Sequence, residues 1–90
     1  MTFTLFLSKM SSVERQMDII KSRAKSFDDT LINQLMFLIH VNTKVNPILE
    51  IYSRRYIGEI YREMYSDGLS VINNQEDFVR LYLTKFPLHI

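Results

Sequence analysis

The chain has no cysteine at all, two glycines, two prolines, two histidines and a single alanine, Ala24, in ninety residues. Without thiols there is no disulfide framework, no thiolate zinc site and no cysteine nucleophile, and a reducing, intracellular setting is weakly favoured. Phosphate cradles need several glycines so that backbone amides can close on the anion. Gly58 and Gly68 stand alone and rule against a nucleotide loop. Charge of one sign is also missing: eleven basic residues face ten acidic ones, a net charge of +1. No global field draws in a polyanion, so affinity for nucleic acid or membrane has to come from a local patch. Long hydrophobic runs are absent too. The most apolar stretch, Leu35 to Val41, falls far short of the roughly 20 residues that cross a bilayer. Residues 1–10 have no basic leader region and too short an apolar run for a secretory signal.

What is present is bulk. The hydrophobic fraction is 47%, made of ten Leu, ten Ile, six Phe and five each of Val, Met and Tyr. A chain of this length hides only about 60–65% of its unfolded surface and forms one domain. Part of that bulk is therefore expected to stay exposed or to be covered by another chain.

The periodicity predicts an all-α fold, a bundle of about four amphipathic helices over residues 11–25, 27–43, 47–66 and 74–86, preceded by a short extended N-terminal arm. Ser11 and Glu14 have capping-box spacing for the first helix, although the pattern also allows one long helix from Thr4. Phe6, Met10, Val13, Met17, Ile20, Ala24 and Phe27 recur at steps of four and three, a seam of the coiled-coil kind. Ser26, with Asp28 and Asp29 in the first turn, reads as the start of a second, central helix. Asn46-Pro47 and Asp67-Gly68 bound the third. Its core arc is Leu49, Tyr56, Ile57, Ile60 and Met64, and Gly58 leaves room for another backbone. Leu69–Ile72 reads as a short strand or buried linker, Asn73 and Glu76 as the start of the last helix, and Pro87 as its end. The apolar residues that follow Pro87 are expected to dock.

Chemistry finds little support. His40 and His89 lack a second histidine or a carboxylate at ligand spacing, and Asp28 and Asp29 are explained as helix-capping residues. No glycine-flanked nucleophile turn occurs. The expectation is no enzyme, no cofactor, no metal and no catalytic residue. The informative segment is residues 52–65, where Tyr52, Arg54, Arg55, Tyr61, Arg62 and Tyr65 interleave the two residue types that dominate binding hot spots. This is read as a face for a partner protein, and the seam through Phe6, Met10, Val13, Met17 and Ile20 as a homodimer contact. The functional expectation is a small regulatory or adaptor module that binds proteins. The alternatives are a nucleic-acid-binding protein using the same Arg/Tyr face, and a structural assembly subunit.

Overall fold

A computed structural model describes the backbone of residues 2–26, 28–44 and 46–89, and the side chains from Ser12 onward within those ranges. Four helices make up the fold: α1 (Thr2–Arg23), α2 (Leu31–Thr43), α3 (Pro47–Ser66) and α4 (Gln75–Lys85), the last preceded by a single 3-10 turn at Ile72–Asn74. There is no strand among the described residues. Helices α2 and α4 touch each other and each touches both α1 and α3, whereas α1 and α3 do not meet among the described residues. The two inner helices therefore share the central role that the sequence assigned to α2 alone.

The expected extended arm is instead the first turns of α1, which is helical from Thr2. The four-and-three spacing already present at Phe6 and Met10 is a helix period, and Ser11 lies inside the helix rather than at its cap. The start of α2 is likewise displaced. Thr30, not Ser26, is the N-cap, its hydroxyl accepting from the Asn33 N–H at 3.2 Å, while Asp28 and Asp29 stand in the preceding connection. A second orphan donor of that end, the Leu31 N–H, is taken at 3.0 Å by the side chain of Gln75 from α4.

α3 keeps its predicted bounds. Asn46 Oδ1 accepts from the Ile48 N–H at 3.1 Å and Pro47 opens the helix. At the far end Gly68, at φ +74°, closes a Schellman motif: its N–H donates to Tyr65 O at 3.0 Å and the Leu69 N–H to Met64 O at 2.9 Å. The linker Leu69–Ile72 is not a strand and is buried only in part: Val71 packs against the core, while Leu69 is 44% and Ile72 78% exposed. α4 begins at Gln75 without a side-chain cap from Asn74.

The core forms where the four stripes converge, around Met17 and Ile20 of α1, Leu35, Leu38 and Ile39 of α2, Ile60 and Met64 of α3, and Phe78, Val79, Tyr82 and Leu83 of α4. Fully burying one such side chain contributes about 1.5–3 kcal/mol. Charged pairs at the rim tie α1 to α4, Lys21 to Glu76 at 2.7 Å and Arg80 to Glu14 at 3.5 Å.

Beyond α4 the chain turns extended through Pro87 and docks, as its apolar character suggested. Leu88 is 6% exposed, and the buried Gln16 side chain grips its backbone on both sides: Nε2 donates to Leu88 O at 2.8 Å and Oε1 accepts from the Leu88 N–H at 3.1 Å. Asn42 Oδ1 accepts from the His89 N–H at 2.8 Å. Burying one leucine gains about 2 kcal/mol and each hydrogen bond about 1 kcal/mol, against about 1–2 kcal/mol of backbone entropy for each of three ordered residues. These terms nearly cancel, so the segment is held near the threshold of local opening.

Candidate functional site

Helix α3 is amphipathic in an unusual sense. Its inner face seats Ser53, Ile60 and Met64 in the core, with Tyr56 and Ile57 half-buried at the margin. Its outer face is not simply polar. Ile48 is 62% exposed, Ile51 56% and Tyr65 86%. Ile51, Gly58 and Tyr65 recur at steps of seven and so line one outward stripe, flanked by Arg54, Arg55 and Arg62, all exposed. A Cβ added at Gly58 would meet nothing within 4 Å. Among the described residues, none uses the close approach that a glycine permits.

Electrostatically the stripe is basic. Arg54 is paired with Glu50 of its own helix at 2.8 Å, but among the described residues Arg55 and Arg62 form no ion pair, despite the helical spacing of both to Glu59. Tyr52 and Tyr61, predicted partners in this face, lie on opposite borders of it. Tyr61 leans its ring on Phe78 with centroids 5.1 Å apart, while Tyr52 is 53% exposed on the other side. The structure thus brings together Arg54, Arg55, Arg62 and Tyr65, adds Ile48 and Ile51, and turns Tyr61 partly inward.

The seam of α1 is divided. Met17 is 1% exposed and Ile20 0%, both in the chain's own core, with Val13 packed against it. Phe6, Met10 and Phe27 have side chains outside the described residues.

Sequence reasoning missed the polar groups that organise the interior. Ser53 Oγ and the Tyr82 hydroxyl share a buried 2.8 Å hydrogen bond between α3 and α4. Burial raises the Tyr82 phenol above its ordinary range, and the bond to Ser53 opposes that shift. Tyr56, stacked at a tilt against Tyr82 and Phe86 and covered by the Lys85 ammonium 5.0 Å from its ring centre, is raised by burial and then by the carboxylates of Glu63 and Glu59. The signal for Ser53 was present, because it sits four residues after Leu49 and seven before Ile60, on the core arc. Gln16 likewise falls between Val13 and Met17 on the packed face of α1.

His40 and His89 are both exposed, and no three His, Asp or Glu side chains gather to a metal-binding group among the described residues. No described helix is long and apolar enough to cross a membrane. Compared with protein-family models, with curated proteins and with solved structures, the chain matches none.

Proposed function

We propose that this protein is a helical interaction module without chemistry of its own, of the regulatory or adaptor kind, working in an intracellular, reducing setting and assembling through the outward face of α3. The carrying observation is that stripe: three large exposed apolar side chains, Ile48, Ile51 and Tyr65, around a mid-helix glycine that no described residue approaches. A glycine exposed inside a helix costs up to about 1 kcal/mol relative to alanine. Close packing against another helix is the physical return for that cost.

The partner we assign to this face is a second copy of the chain. Ile51 and Tyr65 lie seven residues either side of Gly58, so two α3 helices crossing antiparallel at Gly58 set Ile51 of each against Tyr65 of the other. The same crossing sets Arg54 on the flank of Tyr61 of the other copy, a pairing in which a guanidinium rests on a ring. A photoreactive phenylalanine analogue in place of Ile51 or Tyr65 tests this directly. The expected result is a dimer-sized adduct from both positions and none from Asp18, which is exposed on α1. Adducts of equal yield from all three positions would overturn it.

A second reading is favoured by one observation, the unpaired Arg55 and Arg62: a nucleic-acid backbone would supply the missing anions. It requires binding to duplex or single strand that weakens steeply with salt and is lost on replacing Arg54, Arg55 and Arg62 with alanine.

A further inference from the structure

The contact of Gln16 with Leu88 has a form that ordinary core packing does not need. A buried carboxamide, 4% exposed, satisfies both the N–H and the C=O of a single residue, at 3.1 and 2.8 Å. This is the hydrogen-bond pair that a neighbouring β-strand would offer, supplied by one side chain of a helix. Asn42 extends the same reading by one residue, taking the His89 N–H at 2.8 Å. Between them the two amides, one on α1 and one on α2, take three backbone groups of this segment, while Gln16 Nε2 also reaches the Ser12 hydroxyl of its own helix at 3.5 Å. A single side chain, Leu88, goes inward, while Pro87 and His89 stay exposed on either side.

We propose that the cleft framed by Gln16 and Asn42 is a docking site for an extended, leucine-bearing peptide segment of a partner protein, and that residues 87–89 are its displaceable occupant in cis. The chemistry of the occupant is read from the segment already seated there: extended backbone, one aliphatic side chain facing in, no charge required at the flanking positions. Pro87 cannot continue α4, so the segment can leave its cleft without unravelling that helix. Pro87 and His89 also wall a cavity of about 210 Å³ with Thr43, Leu49, Ser53 and Tyr82, so the segment does not fill the surface it lies on. The site shares none of its residues with the outward stripe of α3, so it stands or falls independently of that assembly.

The test uses the full chain carrying Leu88→Ser, which empties the inward position, and a fluorescent peptide with the sequence of residues 85–90. Anisotropy is expected to show binding to Leu88→Ser and about tenfold weaker binding to the wild type, whose own segment competes at high effective concentration. Adding Gln16→Ala to Leu88→Ser should abolish binding, as should serine in place of the peptide's leucine. A folded Leu88→Ser protein that ignores the peptide, or binding indifferent to Gln16, overturns the proposal. Should that variant not fold, native-state hydrogen exchange on the wild type decides. The Leu88 and His89 amides should exchange through local opening, on the order of a hundredfold faster than that of Leu83 within α4. Exchange of all three only through global unfolding makes the segment a fixed part of the core and the proposal wrong.

Discussion

Tyr82 carries its hydroxyl into the middle of the bundle, where the only described hydrogen-bond partner is Ser53, itself 1% exposed. Removing one member leaves the other buried and unsatisfied, which costs about 1–3 kcal/mol, whereas removing both takes away donor and acceptor together. Ser53→Ala and Tyr82→Phe should each lower the urea midpoint, and the double variant should lie well above the sum of the two. Strict additivity would show that the hydroxyls do not depend on each other. Ionisation gives a second expectation. The folded-state pKa of Tyr82 is raised above the ordinary 10.0, so the folded form holds its proton more tightly than the unfolded chain. The associated stability is complete below that value and is lost as pH rises through the folded pKa. Glu76 works in the opposite direction. Its hydrogen bond and attraction to Lys21 hold the carboxyl below its ordinary range, so this contribution exists at neutral pH and disappears as acid protonates it. Glu76→Gln should melt slightly below the wild type at pH 7, with the gap closing as the pH falls below the 4.5 of an ordinary glutamate.

Each helix yielded to sequence reasoning in proportion to how local its determinants are. α3 was legible because Asn46-Pro47 and Gly68 act on the backbone within a turn of where they stand. The start of α2 was not, since Ser26, Asp28 and Asp29 compete with Thr30 as caps, and part of the outcome is decided by Gln75, 44 residues away. The 3-10 turn before α4 escaped for a related reason: Asn74 spends its side-chain amide on Ser70 O at 2.7 Å rather than on capping the helix. On α3 the core arc held at Ile60 and Met64, but Leu49, placed on it by the sequence, is 38% exposed while Ser53 is buried. On α2, apolar around most of its circumference, Phe37 and Val41 turn out 56% and 49% exposed while Leu35 is fully enclosed. Leu35→Asp should therefore abolish the cooperative melting transition, because an unpaired carboxylate enters the core, and Asn33→Asp on the exposed side should shift it little. Of the interaction face, residue types were legible and their grouping was not: the sequence shows Tyr52 and Tyr61 interleaved with arginine, but only packing against Phe78 reveals that Tyr61 is half withdrawn. Gly58 offers the cleanest test of what that face is for. With empty space around its Cβ position, Gly58→Ala should stabilise the isolated chain by up to about 1 kcal/mol in urea unfolding. The same substitution should weaken dimerisation, since a methyl group would keep two α3 helices apart. A variant that is both more stable and equally associated would mean that the glycine serves no interface.

Taken whole, the molecule exposes more surface than its mass calls for. A folded monomer of 10.7 kDa has an accessible surface of about 5,500 Å². This chain exposes 6833 Å², an excess of about 1,300 Å². Its radius of gyration of 13.7 Å is also larger than the roughly 12 Å of a compact domain of this length. A stable protein interface takes about 800 Å² from each partner. Where the contact lies follows from where the apolar residues are spent. Met17 and Ile20 are enclosed by the chain's own helices, so charge placed there should unfold the protein rather than dissociate it. Ile51 and Tyr65 are not enclosed, and lysine at both positions should leave the melting transition intact. We therefore expect light scattering at micromolar concentration to report twice the chain mass for the wild type, and the single-chain mass for the Ile51→Lys, Tyr65→Lys variant, which should still melt cooperatively, at a temperature lowered only by the lost association. Met17→Glu should instead lose its helical transition outright. A wild-type protein that scatters as a single chain at these concentrations would leave the α3 stripe without a second copy to cover it. The unpaired Arg55 and Arg62 would then turn the question to an anionic ligand, for which the salt dependence of nucleic-acid binding is the measurement.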